Sequence, residues 1–209
     1  MAPLNAVIDL SHYNQNLDFQ QIAASGILGA IHKATQGTSY TDPTYQEHRQ
    51  EALAAGLLWG AYHFGISGDG VAQADYFLSV VGKPAPGVPL LMILDFETNT
   101  QGTSMSIVEA HAFITHIQAE TGVVPGLYSG QYVKQLLGGN TDPVLAQCWF
   151  WLSQYGPTPV VPPTWKTWTL WQYTDGAAGN GPYTVDGAGR CDRDQFNGDA
   201  DGLRRLWGA

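Results

Sequence analysis

Short, uniformly apolar runs alternate with capped helical segments through the first two thirds of the chain, and this rhythm limits the fold more than any other feature. Ala6–Leu10, Leu28–Ala34, Leu58–Phe64, Pro89–Phe96 and Pro125–Ser129 read as strands. Most lack the alternating polar residues of a sheet with one wet face, as expected of parallel strands covered on both sides. Helix punctuation lies between them. Asp18 caps a helix starting at Phe19, with Gln21 in the reciprocal capping-box position, Leu17 and Ile22 as a staple, and Gly26 past its end. Asp42-Pro43 supplies a cap and a first-turn proline for a helix running to Gly56. Ser106 and Glu109 form another capping box, and Ile107, Ala110, Ile114 and Ile117 trace one face before Gly122. Val71–Val81 and Gln131–Leu137 are further helical segments.

After about residue 145 the texture changes. Cys148–Tyr155, Thr167–Tyr173 and Arg190–Phe196 read as strands joined by Pro- and Gly-rich loops, with little helix until Gly202–Trp207. The expected class is therefore α/β: a modified TIM-type barrel of βα units followed by strands that lack most of their outer helices. The 209 residues suit one such barrel, and no repeat or linker divides them, so residues 1–209 read as a single catalytic domain without a separate wall-binding domain.

The sharpest chemical signal is Leu90-Leu91-Met92-Ile93-Leu94-Asp95-Phe96-Glu97. Strand alternation sends Asp95 and Glu97 to one side and Phe96 to the other. At the C-terminal end of a barrel strand that side is the mouth. Two carboxyls held together in apolar surroundings cannot both ionise cheaply, and an acid kept protonated near neutral pH is what cleavage of a glycosidic bond requires. The plainer reading, caps or ion-pair partners, is weakened by the scarcity of cations: nine Lys and Arg against eighteen Asp and Glu. Asp9 ends the first strand and faces the same mouth, although an Asp there also forms turns. Asp192 or Asp194 adds a further carboxylate from the last strand, or else belongs to a surface turn held by Arg193.

The net charge of −9 and the lack of any basic cluster argue against nucleic-acid binding. No apolar run is long enough to span a bilayer, and Met1 to Asp9 lacks the basic region and cleavage site of a signal peptide. No His spacing matches a metal motif, so neither metal nor cofactor is expected. Cys148 and Cys191 are compatible with one disulfide or with two buried thiols. Trp149, Phe150, Trp151, Tyr155, Trp165, Trp168, Trp171 and Tyr173 crowd the later strands. Some of them pack the core, and Trp151 and Tyr155, on one strand face, are the better candidates for stacking on sugars. His63 suits a hydrogen-bonded packing role or a contact to substrate.

Taken in order, these stretches resemble the family 25 glycoside hydrolases, the Ch-type lysozymes found as phage endolysins and as secreted bacterial and fungal muramidases. The matching residues are Val7-Ile8-Asp9-Leu10-Ser11, His32-Lys33-Ala34-Thr35-Gln36-Gly37, Asp42-Pro43, Ala54-Ala55-Gly56, Gly60-Ala61-Tyr62-His63-Phe64, Leu94-Asp95-Phe96-Glu97, Leu170-Trp171-Gln172-Tyr173 and Asp192 to Gly198. The resemblance implies five βα units followed by three strands. It also implies cleavage of the β-1,4 bond between N-acetylmuramic acid and N-acetylglucosamine in peptidoglycan. Glu97 matches the family's general acid, Asp95 the carboxylate that steadies the substrate acetamido group or the developing cation, and Asp9 and Asp192 further acids of the cleft. Lys33, Tyr62, His63, Tyr128, Trp151, Tyr155 and Gln172 are the candidate substrate contacts. The Asp-x-Glu pair points to attack by the acetamido oxygen; inversion by an activated water is the alternative and needs carboxylates roughly 6.5–9.5 Å apart. Two departures stand out: Gln36 replaces the family's Glu, and Cys191, Arg193 and Asp194 replace three residues of the usual Val-Asp-Leu-Asn. A monomer acting on the cell wall, outside the cell or released by phage lysis, is expected.

Overall fold

The computed structural model describes residues 2–85 and 90–208. In chain order its elements are β1 (Leu4–Leu10), α1 (Phe19–Ala24), β2 (Gly29–Gln36), β3 (Tyr40–Thr41), α2 (Tyr45–Ala54), β4 (Leu58–Phe64), α3 (Gly70–Val81), β5 (Leu91–Asp95), α4 (Ile107–Thr121), β6 (Gly126–Ser129), α5 (Gln131–Leu137), β7 (Phe150–Ser153), β8 (Leu170–Thr174), β9 (Thr184–Val185), β10 (Gly189–Arg190), β11 (Asp192–Phe196) and α6 (Ala200–Trp207). The strand expected from Pro89 begins at Leu91, and Pro89 itself lies outside the described residues.

Eight strands close into a barrel in the order β1-β2-β4-β5-β6-β7-β8-β11, with β11 returning to β1 and β3 attached to β2 as a short hairpin arm. The first five barrel strands are each followed by an outer helix, β7 and β8 are followed by none, and β11 leads into α6, in line with the loss of helices after residue 145 read from the sequence. Neighbours are parallel except at β11, which runs antiparallel to both β1 and β8. That reversal has two consequences. The start of β11, not its end, reaches the mouth, and the chain leaves β11 at the barrel floor.

Each strand divides its side chains between two cores. Outward residues such as Ile8, Leu10, Met92 and Leu94 pack with Phe77, Phe113 and Ile117 of the surrounding helices. Inward residues Val7, Ile31, Leu91, Ile93, Trp151, Leu170 and Phe196 fill the barrel, joined by Leu203 and Trp207 of α6. The run Leu90–Leu94 is apolar throughout because both of its faces are covered. Helix α6 starts at Asp199, whose carboxylate accepts the Gly202 N–H at 2.8 Å, and lays its apolar face across the floor. Gly29 makes room for it: a Cβ there would stand 3.3 Å from the Trp207 ring.

Three local expectations are refined. At Asp18 only half of a capping box forms: its carboxylate accepts the Gln21 N–H (3.0 Å), while its own N–H goes to the Gly187 carbonyl (2.8 Å). Helix α2 has its N-cap at Thr44, whose N–H is accepted by Asp42 Oδ1, while the other Asp42 oxygen binds His12. Both halves form at Ser106 and Glu109, and Glu109 also accepts the Gly68 N–H at 2.7 Å, which ties the loop after β4 to α4. Cys148 and Cys191 are buried free thiols, so the disulfide alternative falls. Among the described residues no helix is long and apolar enough to cross a membrane.

Candidate active site

At the mouth, the inward side of the strands changes from apolar to acidic within one residue pair. Asp95 ends β5 directly above Ile93, and Glu97 follows two residues later on the same side. With Asp9, Tyr62, Tyr128, Trp151, Gln172 and Asp192 they line one cleft of about 470 Å³, a volume that includes its solvent-open part. Gln172 is the hub of the wall. Its Nε2 donates to Asp9 Oδ2 (2.9 Å), and its Oε1 accepts from the hydroxyls of Tyr128 (2.9 Å) and Tyr155 (3.0 Å). The indole N–H of Trp151 donates to Asp194 Oδ1 at 2.6 Å. One amide and one indole thereby fix side chains from three further strands and from the loop after β7.

Burial raises the pKa of Asp95 well above the usual carboxylate range. The charge of Glu97 adds to the rise and Lys33 opposes it. Glu97 is raised too, by burial, again against Lys33. Asp192 is pushed up to about 6, first by burial and then by Asp175. Asp9 is raised by burial and by the nearby charges of Asp192 and Asp194. Oδ1 of Asp95 is buried yet has no hydrogen-bond partner, which is costly to the fold. Lys33 projects from β2, its ammonium 4.9 Å from the Phe64 ring centroid and donating to Gln36 Oε1 at 2.7 Å. Because Gln36 is neutral, it anchors this ammonium without cancelling its field at the two acids.

Known proteins share this plan. The family described as Glycosyl hydrolases family 25 matches residues 8–181. The chain belongs to that family. It is 32% identical to lysozyme M1 of Streptomyces globisporus over 95% of this chain and 70% of that protein. It is 30% identical to the N,O-diacetylmuramidase of Chalaropsis sp, over 95% of this chain and 96% of that one. The crystal structure of a bacterial lysozyme from Streptomyces coelicolor superposes with a TM-score of 0.86 at 30% identity, covering 99% of this chain and 98% of that one. This chain is a family 25 glycoside hydrolase with lysozyme and muramidase relatives.

The family-25 barrel brings most of the candidate site residues together. Asp9, Asp95, Glu97 and Asp192 share the cleft with Tyr62, Tyr128, Trp151 and Gln172. Tyr155, 40% exposed, reaches the wall through its hydroxyl, and Lys33 acts on both acids. His63 stands apart. It faces the helices, its Nδ1 2.7 Å from Thr35 Oγ1 and its Nε2 3.2 Å from Gln73 Oε1, stacked on Phe113 at 5.0 Å. A substrate contact there is corrected to a packing role, because His63 falls on the odd side of the alternation from Tyr62. The choice between Asp192 and Asp194 is decided by the direction of β11. Asp192 opens the strand at the mouth, whereas Asp194 lies one layer deeper, fully buried. Neither belongs to a surface turn, and Arg193 points the other way, donating to the Thr184 carbonyl and to Asn5 Oδ1. Trp165, Trp168, Trp171 and Tyr173 pack in the helix-side core. One role escaped the sequence: Asp42, legible only as a helix cap, is a buried anchor for His12 at the rim. Among the described residues no group of three His, Cys, Asp or Glu side chains is placed to hold a metal ion.

Proposed function

We propose that this family 25 hydrolase is an N-acetylmuramidase that cleaves the β-1,4 bond between N-acetylmuramic acid and N-acetylglucosamine in bacterial peptidoglycan, with Glu97 as the general acid. The observation that carries the reading is the placement of Glu97 in the cleft beside a buried Asp95 whose Oδ1 has no hydrogen-bond partner. An acetamido N–H donated to the Asp95 carboxylate would stabilise its charged form. That charge would in turn favour the protonated form of Glu97, beside the leaving oxygen. With Asp95 holding the acetamido group, its carbonyl oxygen is oriented towards the anomeric carbon, and water later opens the cyclic intermediate with Glu97 acting as base. Asp9 and Asp192 enclose the sugar from the opposite wall, and Tyr62, Tyr128 and Trp151 offer it flat faces and edges. The chain acts as a monomer on glycan strands of the cell wall.

Release of soluble muropeptides from purified sacculi tests this. Glu97→Gln is expected to lower the rate by about two orders of magnitude or more. New reducing ends should be muramic acid; equal rates for the variant and the wild type would remove the assignment. Preferential cleavage of chito-oligosaccharides would instead place the enzyme among the chitin-type hexosaminidases.

A further inference from the structure

Beyond the cleft, the rim above β1 and β2 carries aromatic side chains that the chemistry at Glu97 does not use. Tyr13 is 83% exposed, and its ring centroid lies 4.1 Å from that of His12 at 37°. Tyr40, 38% exposed, meets the same imidazole edge-on at 6.3 Å, with its hydroxyl 3.3 Å from Nδ1. Exposed tyrosines usually move freely, but these are backed by a buried fixture. Asp42 Oδ2 takes both the backbone N–H (3.1 Å) and Nδ1 (2.8 Å) of His12, and its side chain is fully buried. Asp42 Oδ1 accepts the N–H (3.1 Å) and the hydroxyl (2.9 Å) of Thr44. The hydroxyls of Thr41 and Tyr76 meet at 2.7 Å and hold the β3 arm in place. A buried carboxylate thus holds an imidazole, and the imidazole supports a flat aromatic shelf.

The shelf is continuous with the cleft. Tyr13 follows Asp9 by four residues as the chain leaves β1 at the mouth, and Tyr40 pairs with Gln36 at the end of β2. The Lys33 ammonium lies 5.4 Å from the Tyr40 ring centroid while also acting on Glu97, so it bridges the two. A polymeric glycan cannot end inside the cleft, and its next rings must leave over the rim. The net charge of −9 gives no long-range attraction to an anionic wall, so the hold on the strand must come from short contacts.

We propose that Tyr13, stacked on His12, and Tyr40 form a sugar-stacking subsite for a ring of the glycan strand lying outside the cleft. The inference rests on the glycan reading of the cleft. The apolar C–H face of a pyranose covers the tyrosine rings while its hydroxyls meet their polar edges, and a shelf already held in place loses little freedom on binding.

The test uses peptide-free glycan strands and a Glu97→Gln background, with binding measured by calorimetry. Tyr13→Ala and Tyr40→Ala should each raise Kd about tenfold, the scale of one aromatic contact. Tyr13→Trp should restore binding, since it keeps a flat face. In the active enzyme the same alanine variants should raise KM on long strands and leave kcat unchanged. Unaltered Kd in both alanine variants, with folding verified by circular dichroism, overturns the subsite. Wild-type protein whose strand binding depends on the tyrosines but which releases no muropeptides would sink the muramidase reading and leave the subsite standing.

Discussion

The mouth and the floor of this barrel are built from the same strands and the same inward positions, yet they are opposites. On the floor, Val7, Ile31, Leu91, Ile93, Leu170 and Phe196 pack against Leu203 and Trp207 until no solvent remains. One layer higher, Asp9, Asp95 and Asp192 bring acids together at the mouth; Asp194 lies just beneath Asp9 and Asp192 and repels Asp9, and Asp95 and Asp194 each keep an unpartnered buried oxygen. Each such group costs folding free energy of about 1–3 kcal/mol or more. The floor offsets that cost and keeps the mouth rigid enough to hold acids in a protonation state that water would not allow. Stability and reactivity are thus separated along the barrel axis.

The comparison can be broken at either end. The largest effect belongs to the mouth: Glu97→Gln should abolish nearly all muropeptide release while leaving the thermal midpoint equal or higher, since it removes a carboxyl whose charged form burial opposes. Next comes the floor. Trp207→Ala should destabilise by about 3–5 kcal/mol in urea unfolding, and the fraction still folded should keep the wild-type pH profile of activity. If that profile moves, the two ends are not separable.

Asp194→Asn gives a smaller and pH-dependent effect. Asp194 is raised by burial above its unfolded value, so the stability it contributes is present at low pH and lost as pH rises through its folded pKa. An Asn keeps the acceptor for Trp151 and removes the charge. The variant should therefore melt a few degrees above the wild type at pH 7, and the gap should close on acidification. On the outer wall the sign reverses. Burial lowers His32 and His63 to about 4, so the stability linked to them is present above pH 6.5 and disappears as pH falls from 6.5 towards 4. NMR titration should find neither imidazole charged at pH 6. The smallest effect is at Gln36→Glu. A carboxylate on the Lys33 ammonium weakens the cationic field at Glu97, which then holds its proton more tightly. The alkaline limb of the pH–activity profile should move to higher pH with kcat at the optimum unchanged.

Much of this was legible beforehand. Two helix starts followed from caps with a local physical cause: Asp18 and Ser106 each accept an N–H of the first turn, whereas the caps at Asp69 and Asp199 emerged only with the structure. The pair Asp95 and Glu97 stood out because an apolar run has no reason to end in two acids unless they face something. Local spacing could not say which way β11 runs, and that direction selects Asp192 over Asp194. Nor could it show that Asp42, while one oxygen holds Thr44 at the start of α2, uses the other to hold His12, because that partner lies thirty positions away.

The sequence alone determined the alternation of strands and helices, the loss of helices after residue 145 and the side of β5 on which the acids lie. Each is a consequence of backbone periodicity or of bonds within one turn. Closure decided the rest: the convergence of four carboxylates, the Gln172 hub, and the plug that α6 sets in the floor. These depend on distances between strands far apart in the chain, which only packing into a ring could set.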